Sequence, residues 1–337
     1  MVSIEEVLNS PLTGKPMRVV YEPDTMTFRG EKFDCIYTSY RDDESGESFT
    51  TTESDSAWWN QVTNQYRAKY GIPYTDEIID VRKRYGISAA KMSQILGIGV
   101  NQYRLYEQGE VPSVSNGRMI RSVMNPKVML EMVESSKNEM SKSEYERIVS
   151  KVKAVIAESE AYKLEQYETK RLFTVPRGAD NGYAQISLGR LKNILLYFIE
   201  KSNGVFFTKM NKLLFYTDFM AYRVTGKSVS GLAYKAIAHG PVPVRWDRIY
   251  SFYDEIDQEI VQFPDGRAGT KLVSSLSPDM AEFSEDELKI LEYVSQRFKK
   301  ESPTQISETS HQEEAWKQYL NSDRLISFEM AFTLKAI

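Results

Sequence analysis

Two short helical patterns that meet at a glycine constrain residues 87–109 more strongly than any other part of the sequence. The first helix is expected to begin after Ser88, the second near Val100, and Gly97 lies between them. A glycine here can adopt the left-handed conformation that ends a helix, and its small size lets the second helix cross the first closely. The spacing predicts a helix-turn-helix. Its small core is expected to contain Ala90, Ile95, Leu96, Val100 and Leu105.

Polar side chains cluster at the start of the second helix, where a helix-turn-helix contacts DNA. Asn and Gln side chains can pair with adenine, and Arg can pair with guanine. Small polar and basic side chains on the first helix suit contacts with phosphate. The residues predicted to contact DNA are therefore Ser88, Lys91, Asn101, Gln102, Tyr103 and Arg104.

The complete segment resembles the helix-turn-helix of the Xre/Cro-like repressor superfamily, in which a Ser-rich start, a glycine turn and a Tyr/Trp-Glu-x-Gly ending recur. Here that ending is Tyr106-Glu107-Gln108-Gly109. The resemblance implies a homodimer that binds double-stranded operator DNA through two half-sites. A five-helix bundle that pairs proteins without reading DNA is the alternative.

Charge is distributed unevenly along the chain, although the net charge is only −4. Residues 1–60 contain five basic and 12 acidic side chains, a net charge of −7. Residues 75–127 contain eight basic and five acidic side chains, a net charge of +3. Only the second segment is suited to approach phosphate, and the acidity of the first argues against DNA contact there.

Composition narrows the class of protein. No apolar stretch is long enough to span a bilayer, and the first residues show no basic region followed by an apolar run. The single cysteine, Cys35, excludes an intrachain disulfide framework and fits a reducing cytoplasm. With only His239 and His311 beside it, a Cys/His zinc site is not expected. These features predict a cytoplasmic protein with no membrane insertion, no metal and no cofactor.

The first 58 residues carry strand and turn signals, with β-prone runs at Phe33 to Tyr37 and Ser48 to Thr52. Four positions have the spacing of two zinc knuckles but hold Ser10, Thr13, Asp42 and Ser45. The segment resembles the N-terminal zinc finger of two-domain antitoxins in type II toxin–antitoxin systems, with its ligands lost. Thiolates are missing, so no metal is expected. The core is expected to come from Phe28, Phe33, Ile36, Tyr37, Tyr40, Phe49, Trp58 and Trp59. Dimerisation, toxin contact and scaffolding all remain open as roles.

Helical signals follow this segment. Residues 75–135 are predicted to form five short helices, the first two capped by Thr75 and Ser88 and the fifth opened by Asn125-Pro126. A charged helix is expected over 141–171, with a capping box from Ser143 to Glu146. One face of it carries the apolar residues Ile148, Val149, Val152, Val155 and Ile156. This stripe either mediates dimerisation or packs the helix on its own domain.

The C-terminal half carries four sequence motifs. They are Thr208-Lys209-Met210-Asn211-Lys212-Leu213-Leu214-Phe215-Tyr216-Thr217-Asp218-Phe219, then Tyr234-Lys235-Ala236-Ile237-Ala238-His239-Gly240-Pro241-Val242-Pro243, then Phe283-Ser284-Glu285-Asp286-Glu287-Leu288, and finally Ser310-His311-Gln312-Glu313-Glu314-Ala315-Trp316. Together they resemble the Panacea, or SocA-like, antitoxin domain. The resemblance implies a cognate toxin as partner, and a cellular protease as a further one. The toxin contacts it implies are Lys209, Lys212, Tyr216, His239, Gly240, Pro241, Val242, His311 and Trp316.

The fold class expected is mainly α with small β parts. We expect a finger-like β domain at 1–70, a helix-turn-helix domain at 71–135, a connector helix and linker at 136–182, and a mostly helical Panacea domain at 183–337. In the last domain, helices are predicted near 187–202, 208–225, 242–256, 285–300, 303–310 and 312–320, with short strands between Tyr234 and Ser275. Capping signals at Ser284 with Glu287 and at Ser302-Pro303 support two of these helices.

The predicted function is that of an antitoxin, which neutralises a toxin by direct binding and represses its own operon through the helix-turn-helix. The alternative is a transcription regulator whose C-terminal domain senses a ligand or a phage protein. An enzyme is not expected. A histidine near a carboxylate is a general-base candidate, but no nucleophile elbow, phosphate-binding glycine loop or metal-ligand cluster accompanies His239, His311, Lys212 or Asp218.

Overall fold

The computed structural model describes residues 8–263 and 266–337, with the side chains of 159–166, 168 and 170 left aside. Its helices outweigh its strands, and the strands form several small sheets. The predicted class, mainly α with small β parts, is confirmed.

Two compact units are present. One combines Met1–Val62 with Thr169–Ile337, and the other consists of Thr63–Glu168. Within the described residues, no helix has the length and apolar composition needed to cross a membrane.

A small antiparallel sheet forms the N-terminal part of the chain. Its strands, in spatial order, are β1 (Arg18–Phe28), β2 (Glu31–Arg41) and β3 (Ser48–Phe49). β1 and β2 are joined by a two-residue hairpin turn, since Phe28 pairs with Glu31. Of the predicted core residues, Phe33 is buried, most others are half-buried, and Trp59 is 40% exposed.

Hydrogen bonds occupy the two turns where a zinc finger holds its metal. The Asp42 carboxylate accepts the Thr13 hydroxyl at 2.8 Å and the Glu44 backbone N–H at 2.9 Å. The Ser10 hydroxyl oxygen accepts the backbone N–H of Leu12 at 3.1 Å. Hydrogen bonds from Ser10, from backbone N–H groups and from Thr13 hold the pKa of Asp42 well below its usual range. A single carboxylate therefore joins the two knuckle turns.

The N-terminal sheet and the C-terminal part of the chain contact each other directly. The Asn60 side-chain amide donates to the Thr225 carbonyl oxygen at 3.0 Å. The rings of Tyr21 and Phe332 meet edge to face, with centroids 5.5 Å apart. These contacts explain why Met1–Val62 belongs to the same unit as Thr169–Ile337. Of the three roles left open for this segment, scaffolding of the C-terminal part has direct structural support.

Seven helices follow in the chain. They are α1 (Thr52–Tyr70), α2 (Thr75–Tyr85), α3 (Ala89–Ile95), α4 (Gln102–Glu107), α5 (Val114–Ser122), α6 (Pro126–Ser135) and α7 (Lys142–Leu172). Gly97 adopts a positive φ of 64° between α3 and α4, as the sequence predicts for a tight turn.

Local capping signals place most of these helix ends correctly. The Ser88 hydroxyl accepts the Lys91 backbone N–H at 3.2 Å, and Asn125 caps α6. Two predicted caps are wrong. Tyr74, rather than Thr75, is the N-cap of α2. Helix α7 begins before Ser143, and its first turn is capped by Ser141 because the hydroxyl two residues earlier reaches a free N–H at the helix start.

The apolar stripe of α7 packs on the core that α2 to α6 form. Ile148 and Val152 are fully buried there, together with Tyr85, Met92 and Tyr103. Val149, Val155 and Ile156 lie partly buried against the same cluster. The second interpretation of the stripe, packing on its own domain, is therefore the one that the structure supports.

Replacing Ile148 with Ala is expected to lower the free energy of unfolding by ~2–5 kcal/mol, because the deleted atoms leave a cavity in a closed core. Denaturant titration followed by circular dichroism measures this loss. Val155→Ala, at a partly buried position, is the control and should cost less. If I148A were as stable as the unmodified protein but lost a dimer in light scattering, the intrachain assignment would be refuted.

The C-terminal part contains the remaining elements. In chain order these are α8 (Leu188–Ser202), β4 (Val205–Phe206), α9 (Phe207–Thr225), β5 (Tyr234–Ile237), β6 (Gly240–Pro243), α10 (Trp246–Ile249), β7 (Asp257–Gln262), β8 (Ala268–Val273), α11 (Glu285–Arg297), α12 (Pro303–His311), α13 (Glu314–Lys317) and a 3-10 helix, Phe328–Thr333. The strands form one sheet of order β4-β8-β7 and the hairpin β5-β6.

Helix α9 is the centre of this part of the fold. It is buried continuously from Met210 to Tyr222 and contacts β6, α11, α12 and the 3-10 helix. The predicted helix over 242–256 is wrong. Val242 and Pro243 pair with β5 as strand β6, and only Trp246–Ile249 is helical. The strand pairing provides hydrogen bonds to main-chain groups that would otherwise bond within a helix.

Candidate functional site

The outward face of α4 holds the exposed part of the predicted DNA contacts. Asn101 and Arg104 are exposed, as is Ser88 at the start of α3. The Ser88 hydroxyl oxygen already accepts a hydrogen bond from its own helix, and its proton remains available for a phosphate oxygen. An amide and a guanidinium on one short helix can read adenine and guanine edges.

Tyr103 corrects the sequence prediction. Its side chain is fully buried, and its hydroxyl donates to the Ile78 carbonyl oxygen at 2.7 Å. Its backbone N–H donates to the Ser93 hydroxyl oxygen at 3.0 Å, which fixes α4 against α3. Tyr103 therefore holds the two helices together and does not reach a base. Burial also raises its pKa well above the ordinary tyrosine value.

Two further predicted contacts are engaged within the protein. The Lys91 ammonium group lies 3.0 Å from a Glu144 carboxylate oxygen and donates to the Gln94 side-chain oxygen at 2.7 Å. The Gln102 side-chain amide donates to Glu110 at 3.1 Å. A phosphate or a base would have to compete with these partners.

Val100 and Leu105 reverse the expected pattern. Both were predicted in the core, yet they are 77% and 40% exposed. They flank Asn101 and Arg104, so this face combines polar and apolar side chains. Apolar side chains can contact the thymine methyl group in the major groove. Sequence analysis missed this because the core is filled by Met92, Tyr103 and Tyr106 instead.

Asp218 organises the loop that follows α9. Its carboxylate accepts the backbone N–H groups of Val229 at 2.9 Å and Ser230 at 2.7 Å. It also accepts the hydroxyl groups of Ser230 and Tyr234. Burial raises the pKa of this carboxyl group, and the hydrogen bonds oppose that shift. Four donors satisfy a fully buried group, which marks it as a structural anchor.

Lys212 is buried next to the β5–β6 hairpin. Its ammonium nitrogen donates to the Pro241 carbonyl oxygen at 3.0 Å. Burial lowers the pKa of this amine to about 7. Gly240 has a φ of 99°, and a Cβ there would lie closer than van der Waals contact to the Ser310 hydroxyl and to the end of the Lys212 side chain. The glycine thus lets β6 approach α9 and α12 closely.

Tyr216 and Glu313 connect α9 to the end of the chain. The Tyr216 hydroxyl donates to the Glu313 carboxylate at 3.2 Å. The same carboxylate accepts the backbone N–H groups of Lys335 at 2.8 Å and Ala336 at 3.0 Å. Glu313 is completely buried, and sequence analysis did not identify it. The only signal for Glu313 in the sequence was its position as an acidic residue shortly before Trp316 in the last motif.

Most of the predicted toxin contacts are therefore internal. Lys212, Tyr216, Gly240, Pro241 and Val242 are all buried. The side chains of Lys212 and Tyr216 make hydrogen bonds within the domain. The segment Gly240–Pro243 is the buried strand β6, which pairs with β5.

An aromatic surface remains accessible at the end of the hairpin. His239 is exposed, and its carbonyl oxygen accepts the Ser307 hydroxyl at 2.9 Å. The half-buried rings of His311 and Trp316 stack with centroids 4.1 Å apart. The indole N–H of Trp316 donates to the Ile237 carbonyl oxygen at 2.7 Å. We call His239, His311 and Trp316 the hairpin-end surface.

The Nε2 atom of His311 is buried and has no hydrogen-bond partner in the described part of the chain. Burial lowers the pKa of His311, and electrostatic interactions with Lys212 and His239 lower it further. The remaining predicted contact, Lys209, donates to the Phe298 and Glu301 carbonyl oxygens at 2.8 Å and 2.7 Å. It therefore caps the end of α11.

The geometry separates the groups that suggested catalysis. Lys212 contacts Pro241, whereas Asp218 contacts the loop at Ser230. No ion pair among the described residues joins His239 or His311 to a carboxylate. Among the same residues, no three His, Cys, Asp or Glu side chains are placed to hold a metal ion.

The buried amine predicts a specific dependence of stability on pH. The folded-state pKa of Lys212, about 7, lies below that of an unfolded chain, so the unfolded chain binds more protons above neutral pH. Stability should therefore rise by about 1 kcal/mol per pH unit between roughly pH 7 and pH 9.5. In Lys212→Met this rise should vanish, and stability at pH 7 should increase.

Denaturant titrations at several pH values measure the slope, with the exposed Lys289→Met as control. The control should keep the slope of the unmodified protein. Equal slopes in both variants would mean that Lys212 stays charged in the folded protein.

The comparisons with known proteins concern the C-terminal part. Searches of curated proteins and of solved structures gave no match for the chain. Residues 210–317 match the family model described as antitoxin SocA-like, Panacea domain. The match runs from α9 to α13 and includes Lys212, Asp218, the β5–β6 hairpin and the hairpin-end surface. The resemblance seen in the sequence is thus confirmed for residues 210–317, which are similar to the SocA-like antitoxins. This segment is less than half of the chain.

Proposed function

We propose that this protein neutralises a cognate toxin by binding it directly, and that it carries no catalytic activity of its own. The observation that carries the proposal is the match of residues 210–317 to an antitoxin domain. Buried polar groups of this domain such as the Lys212 ammonium, the Tyr216 hydroxyl and the Asp218 carboxylate have structural partners, which suits a binding domain with a rigid surface. The hairpin-end surface is the proposed contact, because its aromatic and imidazole rings are of the type enriched where proteins bind.

The second part of the proposal is binding to operator DNA and repression of the protein's own operon. It is supported by the exposed Asn101 and Arg104, by the apolar Val100 beside them, and by the net charge of +3 over residues 75–127. Helix-turn-helix proteins read two half-sites as dimers, so we propose a homodimer on DNA. The stripe of α7 is already covered within the chain and does not supply the dimer contact.

The location and further partners follow from the same proposal. A toxin that acts on cellular targets has to be met in the cytoplasm, which is where we place the protein. The SocA-like resemblance implies that the bound toxin is transferred to a cellular protease. This transfer requires no chemistry from this chain.

Co-expression tests the antitoxin proposal. The open reading frame next to this gene is expected to arrest growth when expressed alone, and full-length protein should restore growth. His239→Glu is expected to reduce the rescue because it places a charge at the centre of the hairpin-end surface. The control Lys289→Glu, exposed on α11, should leave rescue unchanged. Growth arrest that the full chain does not relieve would contradict the proposal.

DNA binding is tested separately with the purified full-length protein and the DNA upstream of its gene. Asn101→Ala combined with Arg104→Ala should weaken binding at least about tenfold, since each base contact contributes ~1–3 kcal/mol. Arg118→Ala, an exposed basic residue on α5, is the matched control and should have a smaller effect. Gel-shift titration at fixed salt measures both. Unchanged affinity of the double variant would exclude α4 as the reading helix.

A further inference from the structure

A cleft on the N-terminal domain has no role in the function proposed above. It has a volume of about 740 Å³, within the range typical of ligand sites. Its lining includes three acidic and three aromatic side chains, namely Glu22, Asp24, Asp55, Tyr37, Trp58 and Trp59. We call it the acidic–aromatic cleft. All six residues lie on β1, β2 and α1.

Internal contacts hold the aromatic rings in place. The Trp58 indole N–H donates to the Cys35 sulfur at 3.1 Å, and its ring meets Tyr37 edge to face at 5.4 Å. The Trp59 ring meets Phe28 at a right angle, with centroids 5.4 Å apart. Trp59 nevertheless remains 40% exposed. Fixed aromatic rings with accessible faces reduce the entropic cost of binding a ligand.

The acidic side chains are not neutralised by the protein itself. None of the ion pairs in the described part of the chain involves Glu22, Asp24 or Asp55. Residues 1–60 carry a net charge of −7, so the surroundings add to the negative potential. The cleft therefore repels phosphate and attracts cations.

The arrangement favours an organic cation over a metal ion. In the part of the chain that the structure describes, no three acidic, histidine or cysteine side chains are close enough to hold a metal. The carboxylates are instead spread around aromatic faces. A guanidinium or ammonium group is attracted both by the quadrupole of an aromatic ring and by carboxylates at some distance.

We infer that the acidic–aromatic cleft binds an arginine-containing segment of a partner protein. Its volume exceeds the needs of one side chain, and its three acidic residues lie on two different elements, β1 and α1. Both features suit a short basic segment rather than a single small cation. The negative charge excludes nucleic acid and anionic lipid as occupants. This site is distinct from the hairpin-end surface, so either proposal can fail without the other.

Isothermal titration of the full-length protein tests the inference with a hexapeptide of alternating Arg and Gly. The control peptide carries citrulline in place of Arg, which keeps the shape and removes the charge. We expect the Arg peptide to bind, and the citrulline peptide to bind at least about tenfold more weakly. Asp24→Asn combined with Asp55→Asn should weaken Arg-peptide binding by about threefold to tenfold.

Two further variants separate binding from folding. Trp59→Leu removes an exposed ring and should also weaken Arg-peptide binding about threefold or more. Glu259→Gln, an exposed acidic residue on β7, should bind the peptide as the unmodified protein does. Circular dichroism confirms that each variant is folded.

The inference is overturned if the citrulline peptide binds as tightly as the Arg peptide. It is equally overturned if Glu259→Gln weakens binding as much as the cleft variants do. Spermidine binding as tightly as the peptide would assign the cleft to a small cation and overturn its assignment to a protein partner.

Discussion

Continuous burial of α9 is the constraint on which the C-terminal part of the structure depends. On a helix that is enclosed on all sides, polar side chains gain stability by finding hydrogen-bond partners, because a buried unpaired group is costly. Asp218 does so with four donors from the following loop, and Tyr216 does so through Glu313. The carboxylate of Glu313 in turn fixes the end of the chain at Lys335. One helix therefore determines the positions of a loop, a hairpin and the C-terminus.

This constraint also bears on the surface that we propose for partner binding. The residues that make the C-terminal motif recognisable are mostly those that hold the domain together, with Lys212 and Gly240 as the clearest examples. What they position is the hairpin-end surface, whose rings lie at the edge of the core. A domain of this kind can change its surface side chains while keeping the internal network, and this fits a fold that presents different surfaces to different partners.

The N-terminal sheet depends on a different kind of contact, hydrogen bonds between its turns. Asp42 joins the two knuckle turns through hydrogen bonds to Thr13 and Glu44. Further support comes from the C-terminal part, through Asn60 and Tyr21.

Local signals in the sequence determined the helix ends, the turn at Gly97, the caps at Ser88, Asn125 and Ser284, and the motifs of residues 210–317, because each depends on residues a few positions apart. Only the tertiary structure decided which side of α4 is buried. Leu105 lies two residues after Tyr103, about 200° further around the helix, so packing against α2 and α3 selects the buried side. It also decided the partners of Asp42 and Glu313, since hydrogen bonds between distant residues form only once packing brings them together.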